Sequence, residues 1–192
     1  LACCARAGKI MPGLCGNWIA EDSTFAGGMY YWNTCTENLF YGAYSANHLE
    51  QTIPYNQTVV EHLPVAQTEA REVFGMRGAK YPHATYPGLK RNYGGIVPYD
   101  WQIGETPWAV QELWWYYLYS QDREFLRTQG YPVLREVATF FEDFLQRSPD
   151  GKYDLYPTLS PEHWGLTPQF KYNRNCIVDL SLVKYVMRAC LT

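Results

Sequence analysis

Apolar residues recur at helical spacing through much of the chain, and this periodicity is the feature that most restricts its fold. The clearest stripe follows Pro132 and comprises Val133, Leu134, Val137, Phe140, Phe141, Phe144 and Leu145. Intervals of three and four residues place these side chains on one face of an α-helix. A half-buried strand needs strict alternation, which is almost absent here. The sequence therefore predicts an all-α protein.

A preceding helix is predicted from Thr106-Pro107, because a polar cap followed by proline at the first helical position is a typical helix start. Its apolar stripe comprises Val110, Leu113, Trp114, Tyr117 and Leu118. A short element over 122–128 follows, and Gly130 is expected to break the chain before the Pro132 helix.

Three more helical segments are predicted from start and stop signals. Thr34-x-x-Glu37 has the form of a capping box ahead of a helix. A helical stretch over about 58–74 is expected to kink near Pro64 and to stop at Gly75. The last helix runs from about Asn175 with its apolar stripe still continuing at residue 192. Two long loops, over about 75–105 and 150–173, are expected to be functional because compact domains seldom keep such loops as mere connectors.

Length and composition indicate one folded domain over 1–192. The chain is 47% hydrophobic and 18% charged with a formal net charge of −3, which excludes a disordered segment and a protein that coats nucleic acid. It has no apolar run long enough to cross a membrane. Both ends enter or leave apparent elements abruptly, so a domain truncated at both ends is expected.

Aromatic residues make up 17% of the chain, an unusually high share. Several of them fall in polar, Gly- and Pro-rich sequence such as 81–101. Flat rings with a polar tip suit a hydrated, carbohydrate-like ligand, whereas packing in the core and at its rim accounts for most of the others.

Three groups are candidates for chemistry. Glu162 follows a rigid Ser-Pro turn in an aromatic loop, a setting that could keep a general acid protonated, although a surface glutamate after proline is common. Asp179 heads the buried face of the last helix, so it needs a partner, a capping role or a site. Asn33 and Cys35 sit at a helix N-terminus, where they could orient a water or a sugar hydroxyl or take part in ordinary capping.

No metal or cofactor is predicted. The four histidines form no i, i+4 pair and the six cysteines have no CxxC spacing. Nucleotide-binding and serine-hydrolase motifs are absent as well. His83 and His163 lie in the two aromatic loops and are the histidines of interest.

A series of motifs in fixed order resembles glycoside hydrolase family 95 and its relatives, the six-hairpin glycosidases with an (α/α)6 toroid. The segments that carry the resemblance are Pro12-Gly13-Leu14-Cys15-Gly16-Asn17-Trp18, Asn33-Thr34-Cys35-Thr36-Glu37-Asn38, Gly75-x-Arg77-Gly78, Leu113-Trp114 with Tyr117-Leu118-Tyr119 and Asp122, Tyr131-Pro132, and Ser160-Pro161-Glu162. The similarity covers nearly the whole chain. It implies a partial (α/α)6 toroid of about three helical hairpins, which needs the C-terminal half of the toroid to complete it.

The resemblance also assigns roles. It implies an inverting glycosidase, α-L-fucosidase-like, that removes a terminal sugar from an oligosaccharide or polysaccharide. Glu162 would be the general acid and Asn33 would orient the attacking water, while the catalytic base would be an aspartate beyond residue 192. Cys35 replaces the second asparagine of the family's Asn-x-Asn, and a thiol lacks the donor and acceptor pair of an amide.

Further site residues are expected from the loops. His83, Trp101, His163 and Trp164 are the candidate sugar contacts, and Asp179 is expected to support the site. The family's His-His-Asn-Thr-Asp segment corresponds here to 82–86, where one histidine and Thr85 remain. The sugar contacts therefore differ, and the substrate need not be fucose.

Two alternatives stay open: a non-catalytic carbohydrate-binding relative, and a polysaccharide lyase on a similar toroid. No nucleic-acid or membrane partner is expected. The resemblance is compatible with a periplasmic or extracellular protein, while the residues themselves assign no compartment.

Overall fold

The computed structural model describes residues 6–16, 20–87, 99–161 and 165–192, and these residues are mostly helical. The α-helices in the described ranges are α1 (Asn38–Ser45), α2 (Ile53–Glu61), α3 (Leu63–Glu72), α4 (Glu105–Ser120), α5 (Arg123–Phe125), α6 (Tyr131–Phe144) and α7 (Ile177–Leu191). Short 3-10 turns lie at Phe25–Gly28, Leu49–Gln51, Tyr99–Trp101 and Pro168–Phe170. The all-α class predicted from the sequence is confirmed.

Two short antiparallel ladders accompany the helices in the described residues. Strand β1 (Tyr30–Tyr31) pairs with β2 (Ala84–Thr85), with Tyr30 opposite Thr85. Strand β3 (Gln146–Arg147) pairs with β4 (Tyr153–Asp154). The first ladder joins two segments that are more than fifty residues apart in the chain.

Helix α4 lies at the centre of the packing. It contacts α1, α2, α6 and α7, and α6 also packs against α7. The apolar stripe of α6 is buried as predicted from Val133 to Phe144, because each of its turns faces this core. Burial of these side chains, at about 25 cal/mol per Å² of apolar surface, is the main stabilising contribution to the helix group.

The start and the stripe of α4 differ from the prediction. The helix begins at Glu105, so Pro107 occupies the third helical position, where its missing N–H still costs no intrahelical hydrogen bond. Val110 and Leu113 are fully buried, but Leu118 is 46% exposed. The stripe is wrong at that end because the last two turns of α4 extend past the core and contain no buried residue.

Two helix boundaries also differ. Gly130 does not break the chain, because a π-helical turn, Leu126–Gly130, leads directly into α6. The stretch predicted over 58–74 begins earlier, at Ile53, and is two helices that meet at His62. The split falls two residues before Pro64, which has no N–H to continue the helical hydrogen bonds.

Large aromatic side chains are hydrogen-bonded to helix backbones in the core. The Tyr55 hydroxyl donates to the carbonyl of Ala109 at 2.8 Å, and the Tyr81 hydroxyl donates to the carbonyl of Val59 at 2.6 Å. Both tyrosines are fully buried. Tyr81 is therefore a core residue, and the interpretation of the 81–101 aromatics as ligand contacts does not apply to it.

The Gly75-x-Arg77-Gly78 segment docks the loop after α3 onto α6. The Arg77 guanidinium donates to the Asp143 carboxylate at 2.6 Å, and the Arg77 backbone N–H donates to the same carboxylate at 2.9 Å. Gly78 has φ +75°, and a Cβ at this position would overlap the Glu136 carbonyl and the Phe140 backbone nitrogen. The glycine thus permits a backbone approach that no other residue allows.

We expect Gly78→Ala to destabilise the protein more than Gly75→Ala does. Both glycines have positive φ, so both variants incur the left-handed strain of about 1–2 kcal/mol. Only Gly78 faces neighbouring backbone, and that overlap adds about 1–3 kcal/mol. Unfolding midpoints of the two variants measured side by side test this expectation. Equal midpoints would show that the α6 backbone moves away at no cost.

Candidate active site

The β1–β2 ladder brings Asn33 and His83 into one layer of the molecule. The Trp32 backbone N–H donates to the carbonyl of His83 at 3.0 Å, which extends the ladder by one residue on each strand. Asn33 follows directly and is buried, as is His83. Two sequence-predicted site residues that are fifty positions apart are therefore neighbours through their backbones.

The turn from β1 to α1 positions Asn33 and Cys35. Glu37 accepts a hydrogen bond from the Thr34 backbone N–H at 3.1 Å, which is one half of the predicted capping box. The other half is replaced, because the Thr34 hydroxyl accepts from the Asn38 side chain at 2.6 Å. Cys35 is half-buried within this turn and is not in a disulfide.

His83 is held on several sides. Its Nδ1 lies 2.7 Å from Oε1 of Glu105, the first residue of α4. The imidazole stacks on the Tyr99 ring with centroids 4.5 Å apart and an interplanar angle of 18°, and its edge meets Tyr31 at 5.4 Å. The position of the ring is therefore defined by packing as well as by hydrogen bonding.

Asp179 lies in the first turn of α7 and is fully buried. Its Oδ1 packs so closely on Gly104 that a Cβ there would overlap it. The pKa of Asp179 is raised to about 8, chiefly by burial and then by repulsion from Glu105, while a backbone hydrogen bond involving Gly104 acts in the opposite direction. At neutral pH this carboxyl is mostly protonated, so no lone charge heads the buried face.

Glu37 shows the same behaviour. The pKa of Glu37 is raised to about 8, chiefly by burial and also by the charge of Glu105, while backbone N–H groups including that of Thr34 act in the opposite direction. We call Glu37, Glu105 and Asp179 the carboxyl cluster. Glu105 is the central member of the carboxyl cluster. Its charge raises the pKa of both Glu37 and Asp179, and its side chain contacts His83.

Trp101 belongs to a different group of rings. Its ring centroid lies 6.0 Å from that of Phe74 and 5.5 Å from that of Phe170. It is half-buried. The structure therefore brings His83 and Asp179 together at Glu105, places Asn33 beside the strand of His83, and places Trp101 in a separate aromatic group.

Glu162, His163 and Trp164 lie outside the described residues. The segments on either side of them are anchored near the start of α7. The Thr158 backbone N–H donates to the Asn173 carbonyl at 2.9 Å, and the Cys176 N–H donates to the Thr158 hydroxyl at 3.1 Å. On the far side, the Asn173 amide donates to the Gly165 carbonyl at 2.7 Å.

Glu105 is the functional candidate that the sequence analysis missed. The available signal was its place in the apolar stripe of α4, since Glu105, Ala109 and Glu112 are all buried at intervals of four and three residues. A carboxylate at such a position needs a partner just as Asp179 does. The predicted helix start at Thr106 left Glu105 outside the helix, whereas Glu105 is its first residue.

Among the described residues, no group of three or more His, Cys, Asp or Glu side chains has a geometry that could hold a metal ion. Within the same ranges, no helix combines the length and the apolar content that crossing a membrane requires.

The all-α arrangement of the described residues matches a toroid glycosidase fold. The chain belongs to glycosyl hydrolase family 95: the family's model, described as "Glycosyl hydrolase family 95 catalytic domain", matches residues 1–192. The family resemblance noted in the sequence is thereby confirmed.

Named relatives agree with this membership. The chain is 33% identical over 89 residues to "Alpha-L-fucosidase 2" of Arabidopsis thaliana, covering 45% of this chain and 10% of that protein. It is 27% identical over 174 residues to "Probable alpha-fucosidase A" of Aspergillus niger, covering 86% and 22%. It is 29% identical over 105 residues to "Kojibiose hydrolase" of Flavobacterium johnsoniae, covering 54% and 15%. The chain thus matches less than a quarter of the length of each of these relatives.

A solved structure shares the fold. "Putative kojibiose phosphorylase from human microbiome" superposes with a TM-score of 0.58 at 18% identity, covering 84% of this chain and 23% of that one. This match confirms the predicted partial toroid.

We expect Asp179→Asn to stabilise the protein at high pH and to have its smallest effect at about pH 4 and below. The pKa of Asp179 is about 8 when folded against 3.8 in the unfolded chain, so between these values the folded state holds a proton that the unfolded state releases. The contribution of Asp179 to stability is therefore full below about pH 4 and falls as the pH rises to about 8. Each unit in this window corresponds to about 1.4 kcal/mol.

An asparagine has no such dependence. Thermal midpoints of the wild type and the variant between pH 4 and 8 test the expectation, and the gap in favour of the variant should widen with pH. A gap of constant size across this range would contradict it.

Proposed function

We propose that the full-length protein is an inverting glycosidase, α-L-fucosidase-like, that removes a terminal sugar from an oligosaccharide or polysaccharide. The observation that carries the proposal is the meeting of Asn33 and His83 in one buried polar layer. Membership of family 95 and the names of the fucosidase relatives support the reaction class.

In this mechanism, Glu162 protonates the glycosidic oxygen as the sugar leaves. Inversion needs a second carboxylate on the opposite face of the ring, separated by about 6.5–9.5 Å so that a water fits between. By the family resemblance that base is an aspartate outside these 192 residues. The toroid therefore has to supply both carboxyl groups, one from each half.

The remaining residues are assigned roles from the family resemblance and the sequence and, for Asn33, His83 and Asp179, also from their burial. Asn33 orients the attacking water, since a buried amide at the end of β1 can both donate and accept a hydrogen bond. His83 contacts a sugar hydroxyl, and Asp179 supports the layer as a neutral acid. His163 and Trp164 are sugar contacts proposed from their place in the sequence, and Trp101 would reach the sugar from its separate aromatic group.

We expect Glu162→Gln to abolish hydrolysis in the full-length protein without unfolding it. An amide has nearly the shape of the acid but no proton to give to the leaving oxygen, so kcat falls by about 10²–10⁴-fold. Reducing-sugar release from α-L-fucosides, kojibiose and related glycosides provides the assay. Glu72→Gln is the matched control, because Glu72 is an exposed glutamate paired with Arg71. Normal turnover by Glu162→Gln would rule out its assignment as the acid.

We expect Asn33→Ala to lower kcat far more than Cys35→Ala. Removing one well-oriented hydrogen-bonding group from a reacting centre costs about 10²–10³-fold, whereas a thiol is a weak donor and acceptor. Initial rates at saturating substrate measure both variants, with thermal midpoints to verify folding. Losses of equal size would show that both side chains take part in orienting the water.

The Cys35 position favours one alternative, a carbohydrate-binding relative that has lost catalysis. Calorimetric binding of a glycan together with no product from a broad panel of glycosides would support this alternative over the hydrolase.

A further inference from the structure

The Glu105–His83 pair joins the start of α4 to the end of the β1–β2 layer. The carboxylate and the imidazole are 2.7 Å apart, and both side chains are almost completely withdrawn from solvent. A hydrogen bond between such groups is stronger than one at the surface, since little water competes for it. The contact therefore holds the His83 imidazole in one position.

The surroundings of His83 engage every part of the ring except Nε2, which can bind a ligand. The ring face is covered by Tyr99, the edge meets Tyr31, and the backbone carbonyl is engaged by Trp32. Nδ1 is engaged by Glu105, whereas Nε2 makes no hydrogen bond to any residue in the described ranges. His83 keeps 6% of its surface exposed.

An ionised carboxylate can only accept hydrogen bonds, so Nδ1 must carry a proton where it meets Glu105. In a neutral imidazole the other nitrogen is then an acceptor, and in the protonated ring it is a donor. Either form of Nε2 can bind a sugar hydroxyl, which both donates and accepts. Glu105 thus determines which hydrogen bonds His83 can offer.

The neighbours of Glu105 place little negative charge beside it. Glu37 and Asp179 both have raised pKa values, mainly because they are buried, and Glu105 is a further cause in each case. Because the two neighbours mostly hold protons at neutral pH, they do not compete with Glu105 for the imidazole. Glu105 also occupies the first turn of α4, where the helix dipole stabilises a negative charge.

We propose that Glu105 is a positioning residue that orients His83 and fixes its Nδ1 proton, so that Nε2 recognises a hydroxyl group of the sugar. This inference rests on the proposed function, since it assigns His83 to the sugar site. The contact that carries it is the 2.7 Å approach of Glu105 Oε1 to His83 Nδ1 in a buried layer.

The test uses the full-length protein and a double-mutant cycle. Glu105→Leu removes the acceptor at nearly constant volume, and we expect kcat/KM to fall at least tenfold, mainly through KM. Glu105→Gln keeps an acceptor oxygen and should lose less. In the His83→Ala background, Glu105→Leu should have no further effect, because the ring that it orients is gone. A loss of the same size in both backgrounds would overturn the proposal.

Glu112→Leu is the matched control. Glu112 is a second fully buried glutamate on the same helix, two turns from Glu105, and it contacts Tyr44 rather than His83. Its replacement should leave kcat/KM within about threefold of wild type. A loss equal to that of Glu105→Leu would show that any buried carboxyl group on α4 matters and would overturn the specific role of Glu105.

A nitrogen NMR measurement separates this proposal from the proposed function. With 15N-labelled histidine, the resonances missing from His83→Ala identify the ring, and wild type should show a protonated Nδ1 that Glu105→Leu loses. An unchanged spectrum in Glu105→Leu would overturn the proposal. Absence of hydrolysis by the wild type contradicts the proposed function alone, since the proton on Nδ1 is observed without turnover.

Discussion

The carboxylate of Glu105 is withdrawn from water at the junction of α4, the β1–β2 layer and the start of α7. Placing a charge there is costly unless it is compensated, because desolvation in a protein interior amounts to several kcal/mol per ion. The compensation comes from His83 at 2.7 Å and from the N-terminal end of α4. The elements that supply it must keep their relative positions, so the site layer and the helix packing depend on each other.

The two neighbouring carboxyls, Glu37 and Asp179, avoid a buried charge by holding a proton. Glu37 and Asp179 lack a cationic partner within the described residues, and burial and repulsion together raise the pKa of each to about 8. Protonation is less costly than a second and third buried charge, since one unit of pKa shift corresponds to about 1.4 kcal/mol. The layer thus distinguishes three carboxyls of similar burial by their partners: Glu105 contacts the His83 imidazole, whereas Glu37 and Asp179 are mostly protonated at neutral pH.

How far the sequence predicted this arrangement depended on whether a feature is local. The stripe of α6 and the Thr34–Glu37 capping contact involve residues within a few turns of each other, and both are present in the structure. Leu118 followed the same period but lies beyond the core, because periodicity does not show where a neighbouring helix ends. Glu105 pairs with His83, 22 positions away, and this pairing depends on the β1–β2 ladder. Strands of two residues are too short to be predicted from a sequence pattern.

Two helices begin at this layer, and each contributes a carboxyl from its first turn, Glu105 from α4 and Asp179 from α7. The Asp179 carboxyl lies against Gly104, the residue that precedes α4, so the two helix starts are packed on each other. A side chain at position 104 would push α7 away from α4 and separate the two carboxyls. The separation would expose Asp179 to water and weaken its repulsion by Glu105, the two effects that keep it protonated, and it would move the Thr158–Cys176 anchor that precedes α7. Helix packing, the protonation of the carboxyl cluster and the anchoring of the loop that carries Glu162 therefore depend on the same close contact.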